Sequence, residues 1–170
     1  MIKIKDFSDQ AWGTNRALEE TSCALQYLKG YVGMWYKWGG ESPLGFDCSG
    51  LACEYLKSLG IMARRSDSTA QGMANVLPRH TRIHTCYAGD LAFYGKSNVD
   101  ITHVEICISR YLAIGASGGG SKTLTVADAI RDRAFIKVRP IIVGREKDLQ
   151  FFSNTNAALS KVFETGQPLF

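Results

Sequence analysis

The apolar residues change period part-way along the chain, and that change limits the folds open to it. From Thr14 to Lys29, apolar or small residues at Ala17, Leu18, Thr21, Ala24, Leu25 and Leu28 recur at helical spacing, and Gly30 supplies a natural stop. Asp47 is placed to cap a second helix, Cys48 to Leu59, whose Leu51, Ala52, Tyr55, Leu56 and Leu59 form one apolar stripe before Gly60. From Asp90 the period becomes two. Residues 91–94, 101–109, 111–116 and 134–143 read as short strands separated by turn-like residues. Helices followed by a run of strands predict an α+β fold with a mostly antiparallel sheet. Between the two helices, residues 31–46 are rich in Gly and aromatics, contain Pro43 and keep neither period, so they read as a shaped loop. Residues 68–74 read as a short helix, and another is expected near Leu159; nothing in residues 145–170 suggests chemistry.

A chain of 170 residues fits one domain, here taken as 1–170, and at that size roughly 70% of the unfolded surface can be buried. The net charge of +4 comes from scattered residues, which argues against a nucleic-acid partner. The first eight residues carry lysines but no apolar stretch or small-residue cleavage site, so they do not read as a secretory signal, and synthesis as a cytoplasmic chain is expected. With no run of 18 apolar residues, no membrane span is expected. Five cysteines, an odd count, argue for reduced thiols over a disulfide framework.

Cys48 stands out among them. It follows the Gly-rich loop and falls in the first turn of the second helix, where unpaired N–H groups and the helix dipole favour a thiolate. Gly50, one turn in, has no Cβ and is expected to let a substrate backbone approach the sulfur. Cys23, Cys53 and Cys107 lie among apolar neighbours and read as small hydrophobes. In the strand around 101–109, Val104, Ile106 and Ile108 share the face expected to pack on the core, while His103, Glu105 and Cys107 share the other. His103 can therefore serve as a fixed base that takes a thiol proton and returns it to a leaving amine. His80, His84 and Cys86 have a superficial look of metal ligands, but Pro78 interrupts them and no second ligand pair exists, so neither a metal nor a cofactor is expected.

These residues resemble the NlpC-type cell-wall cysteine endopeptidases, a branch of the papain-like superfamily. The resemblance rests on Tyr36-Lys-Trp-Gly-Gly40, Gly45-Phe-Asp-Cys-Ser-Gly50, Ala88-Gly-Asp-Leu-Ala-Phe-Tyr94 and Thr102-His-Val104, in the family's order and spacing over roughly residues 20–120. It implies a papain-like fold with the Cys48 helix packed on the sheet that bears His103, Cys48 as nucleophile and His103 as base. Tyr36 would help hold the oxyanion, and Asp47 and Ser49 would line the cleft that takes a peptidoglycan stem peptide. The sequence departs from the family at the third polar residue, usually on the strand after the base, where this chain has Gly115. A backbone carbonyl or water at Gly115 is the favoured orienter of His103, with Glu105 and Ser117 as alternatives.

The missing third residue keeps two other readings open: a catalytically inactive structural or wall-binding module, such as a phage tail component, or a Cys-His hydrolase acting on another acyl substrate. Residues 115–123 almost match a phosphate-cradling loop, but Ser121 stands between Gly120 and Lys122 and no parallel βαβ pattern precedes it, so the glycines read as a flexible cleft rim. A chain without a secretory signal would reach the wall as a virion component, by lysis or by injection, and a phage association is the favoured expectation. Host, oligomeric state and peptidoglycan chemotype are not encoded legibly.

Overall fold

The computed structural model describes residues 7–80, 86–141 and 148–170, with side chains from residue 15 onward. In chain order the elements are α1 (Phe7–Lys29), β1 (Glu41–Ser42), β2 (Gly45–Phe46), α2 (Cys48–Ser58), α3 (Ala70–Val76), β3 (Leu91–Ser97), β4 (Asp100–Cys107), β5 (Leu112–Ser117), α4 (Val126–Asp132), β6 (Phe135–Pro140), β7 (Leu149–Phe152) and α5 (Thr155–Thr165). The larger sheet has the order β6-β5-β4-β3-β7 with every neighbouring pair antiparallel, so the fold is α+β as the change of period predicts. No helix among the described residues is long and apolar enough to cross a membrane.

β3 and β4 occupy the middle of that sheet, and both of their faces are covered. On one face lie Phe93, Val104, Ile106 and Ile114, packed with Leu51, Leu56 and Tyr55 of α2 and Leu28 of α1. Leu51, Tyr55 and Leu56 are fully buried, and each contributes roughly 1.5–3 kcal/mol of transfer free energy. This is what presses α2 against β4. The other face holds a smaller cluster of Tyr94, Cys107, Ala113, Ile141 and Phe152. The expectation that only one face of β4 meets a core is therefore corrected: Glu105 and Cys107 are buried too, beneath that second layer. Strands covered on both sides read as continuous apolar runs, which accounts for Leu91-Ala-Phe-Tyr94.

Three elements depart from the sequence reading. The 31–46 loop contains the two-residue hairpin β1–β2, and its start is stitched to the outer edge of β6 by Gly33 N–H to the Ile136 carbonyl (2.8 Å) and Tyr36 N–H to the Ala134 carbonyl (3.1 Å). These bonds depend on partners a hundred residues away, so no local period announces them. α4 escapes notice because only Ala129 of its seven residues is buried, leaving no apolar stripe; Thr125 and Asp128 hold its start as a capping box. β7 is four residues long and is created by its pairing with β3. α1 begins earlier than its apolar spacing indicates, at Phe7, and α3, capped by Thr69, begins at Ala70, two residues later than expected, and runs to Val76. Residues 142 and 143 of the last expected strand, and His84, lie outside the described residues.

The start of α2 is fixed by Asp47. Its Oδ1 accepts from Gly50 N–H and from the Ser49 hydroxyl, both at 2.8 Å, and its Oδ2 accepts from Gly39 N–H at 2.9 Å. One carboxylate thus caps the helix and fastens the preceding loop to it. Gly50 has a different purpose from the one expected: a Cβ there would run into the Gly40 carbonyl oxygen, so the missing side chain makes room for the chain's own loop. Gly50→Ala is expected to overpack this contact and destabilise the fold by about 1–3 kcal/mol, read as a lower midpoint in urea unfolding.

Candidate active site

Cys48 opens α2 and is half-buried, neither sealed in the interior nor projecting from the surface. The backbone N–H of Val104, the residue after His103, reaches its sulfur, as do the N–H groups of Ser49 and of Cys48 itself. Helix α2 and strand β4 therefore meet where the sequence reading puts nucleophile and base. The electrostatics differ from the helix-terminus expectation. Burial, with the Asp47 charge adding to it, pushes the thiol up to about 11, and the three N–H groups offset this only in part. Burial is the larger cause of the difference, and Asp47 adds to it by taking up the Gly50 N–H and setting a negative charge beside the sulfur. At neutral pH the resting group is a thiol, and attack requires a base.

His103 projects from β4 opposite Tyr94 of β3, with the two rings 5.7 Å apart. Its Nε2 lies 3.1 Å from Oε1 of Glu105, two residues along the same face. This contact engages Nε2 with a carboxylate. Glu105 is almost completely buried and also receives Arg139 from β6, whose Nε donates to Oε1 at 2.8 Å while Nη2 pairs with the same oxygen. Burial alone would raise the Glu105 carboxyl, but His103 and Arg139 outweigh it and hold the group below its ordinary value.

The remaining candidates separate clearly. Where a carbonyl or water at Gly115 is expected, the Glu105 side chain fills the space: a Cβ on Gly115 would stand 2.8 Å from Glu105 Cγ. Ser117 is buried on β5 and its hydroxyl makes no hydrogen bond among the described residues, so it does not orient His103. Tyr36 is buried, and its hydroxyl is held well above its ordinary value by burial and then by the neighbouring Cys48 and Asp47, so it remains a proton donor. Ser49 is half-buried beside the sulfur, while Asp47 is committed to the cap. Arg139 was not singled out from the sequence; the signal available was a strand cation in a chain whose Glu105 faces a covered layer and needs a counter-charge.

Gly119 lies so close to the Tyr36 ring that a Cβ would collide with it, and Trp38 N–H donates to the Thr123 carbonyl at 2.9 Å. The near-match to a phosphate loop is therefore packed against Tyr36 and Trp38. Away from the site, His80 Nε2 pairs with Asp90 Oδ2 at 2.7 Å and Cys86 Sγ donates to the Arg110 carbonyl at 3.4 Å, so the two described side chains of the His80, His84 and Cys86 set are otherwise engaged. Cys53 and Cys107 are buried as expected, whereas Cys23 is exposed on α1.

The model of the NlpC/P60 family matches residues 33–139. Dipeptidyl-peptidase 6 of Lysinibacillus sphaericus is 31% identical over 98 residues, which cover 58% of this chain and 33% of that protein. Gamma-D-glutamyl-L-lysine dipeptidyl-peptidase of Bacillus subtilis strain 168 is 30% identical over 113 residues, 64% of this chain and 37% of that one. The chain spans about a third of the length of these curated relatives. Among solved structures, an NlpC/P60 family protein from Bacillus cereus superposes with a TM-score of 0.63 at 20% identity, covering 79% of this chain and 39% of that one. The peptidoglycan hydrolase RipB from Mycobacterium tuberculosis gives 0.62 at 23% identity, covering 82% and 66%. These likenesses carry the papain-like α+β fold, and the matched span runs from the loop before Tyr36 through Cys48 and His103 to Arg139: the chain belongs to the NlpC/P60 family.

Proposed function

We propose that this protein is a cysteine endopeptidase that hydrolyses amide bonds in peptidoglycan stem peptides. The observation that carries the reading is the meeting of the half-buried Cys48 sulfur with the Val104 amide, next to a histidine whose far nitrogen is held by a buried carboxylate. The curated relatives support it: one is named for the gamma-D-glutamyl-L-lysine bond, and another, from Bacillus subtilis, is a bifunctional muramidase/DL-endopeptidase. The scissile bond assigned is accordingly one between D-glutamate and the diamino acid.

The chemistry follows from the thiol being protonated at rest. As Cys48 sulfur attacks the carbonyl carbon, Nδ1 of His103 takes the S–H proton, a C–S bond forms and the carbonyl electron pair moves to oxygen. The Cys48 backbone N–H and the Tyr36 hydroxyl donate to that oxyanion. Collapse breaks the C–N bond, and His103 delivers its proton to the leaving amine. Water then attacks the thioester, losing a proton to His103, and the restored carboxyl group departs as Cys48 regains its hydrogen. Ser49 and the Asp47 carboxylate border the peptide on the amine side.

The reading as an inactive module draws on the absent third residue at Gly115, and the Glu105–His103 contact removes that motive. The place of action that fits this substrate is the cell wall. The phage association expected from the sequence has no counterpart in the names of the relatives above.

Incubating the purified protein with murein should release stem-peptide fragments identifiable by mass spectrometry. Cys48→Ala should abolish release, and fragments appearing unchanged from that variant would sink the mechanism. His103→Ala should slow release by about 10²- to 10⁴-fold. Alkylation of Cys48 by iodoacetamide should be slow near pH 6, rise through neutrality as His103 becomes able to accept a proton, and rise again towards the thiol value of about 11. In His103→Ala only the alkaline rise should remain.

A further inference from the structure

We infer that Glu105 is the positioning residue of the base, taking over from β4 the task that a side chain at position 115 of β5 would otherwise perform, with Arg139 as the clamp that holds it. The inference rests on the proposed roles of Cys48 and His103.

Position 115 and the Glu105 side chain compete for one volume. An ideal Cβ on Gly115 would stand 2.8 Å from Glu105 Cγ and 3.3 Å from Oε1, so any residue but glycine would drive the carboxylate away from His103. A buried charge also needs compensation, because leaving it unpaired costs several kcal/mol. Three elements supply it. From β4 comes His103 Nε2 at 3.1 Å, and from β6 comes the Arg139 guanidinium, Nε at 2.8 Å. From β3 comes the Tyr94 hydroxyl, 3.3 Å from Oε2 while it donates to the Ile141 carbonyl at 2.7 Å. Cys107, also on β4, is another titratable group that feels the carboxylate, and its Cys86 contact, with burial adding to it, raises its thiol well above the ordinary value. β5 presents Ala113, Gly115 and Ser117 to this face, and the Ser117 hydroxyl makes no hydrogen bond among the described residues.

Two consequences follow for His103. The carboxylate fixes the neutral ring with its proton on Nε2, leaving Nδ1 basic, and it stabilises the imidazolium that forms when Cys48 gives up its proton. Arg139 shares the same oxygen, so Glu105 stays charged and its side chain stays in one position without binding the imidazolium so tightly that the proton could not be returned.

The first test uses the unmodified protein and does not depend on hydrolysis. Two-bond ¹H–¹⁵N correlation of the imidazoles should show neutral His103 as the Nε2–H tautomer; an Nδ1–H tautomer would overturn the inference. In Glu105→Gln, with thermal unfolding checked for an intact fold, the neutral limb of the Cys48 alkylation profile should move to lower pH, and murein turnover should drop about a hundredfold. A profile and turnover equal to those of the parent would overturn it. Gly115→His placed on Glu105→Ala should recover about tenfold of the turnover lost by Glu105→Ala alone. A folded double variant with no recovery would refute the exchange of positions. Absence of murein cleavage, with the tautomer and alkylation limb as stated, would reject the substrate and leave this inference standing; cleavage with the wrong tautomer would do the reverse.

Discussion

One carboxylate decides where the sulfur stands. Asp47 accepts from Gly50 and Ser49 on the helix side and from Gly39 on the loop side, so α2 cannot shift without the 39–46 loop moving with it. Because α2 is pressed onto β4 by Leu51, Tyr55 and Leu56, the loop, the helix and the central strand behave as one body. Its electrostatic consequence runs the other way: the same charge raises the thiol. The fold therefore holds the Cys48 sulfur firmly while keeping it a thiol, and in the mechanism proposed above the burden of activation passes to His103.

That burden is met by a second buried carboxylate under opposite conditions. Asp47 is met by neutral dipoles, two N–H groups and the Ser49 hydroxyl, whereas Glu105 faces a full guanidinium and an imidazole. Dipoles distribute a charge without cancelling it, so Asp47 is felt at Cys48; the Arg139 ion pair confines the Glu105 charge to its immediate partners. Two acidic groups of similar burial thus act in different ways on neighbouring reacting atoms.

Much of this was legible in the residues, and the reasons are local. α2 and its cap were readable because stripe, cap residue and terminal glycine lie within a few positions of one another. β3 to β6 were readable because their apolar residues keep a strand period, or run unbroken where both faces are covered. What escaped depends on distant pairing: the stitching of residues 33–36 to β6, the short β7, and Arg139, whose partner lies on another strand two positions across the sheet. Glu105 was visible as a neighbour of His103, but its preference over Gly115 required the space between β4 and β5. Gly50 was noticed for its missing side chain and misread in purpose, since sequence does not reveal which backbone will come to rest there.

Asp90 extends the dependence on distant chain to assembly itself. Its buried carboxylate takes N–H groups from Tyr87 and, through Oδ1, from Thr155, while its carbonyl takes Cys107 N–H and β7 lies along β3. During synthesis the sheet that carries His103 emerges from the ribosome well before residues 149–155, so for that interval Asp90 lacks one donor and β3 presents an open edge. The central strands of such a sheet close only when β7 and the first turn of α5 arrive.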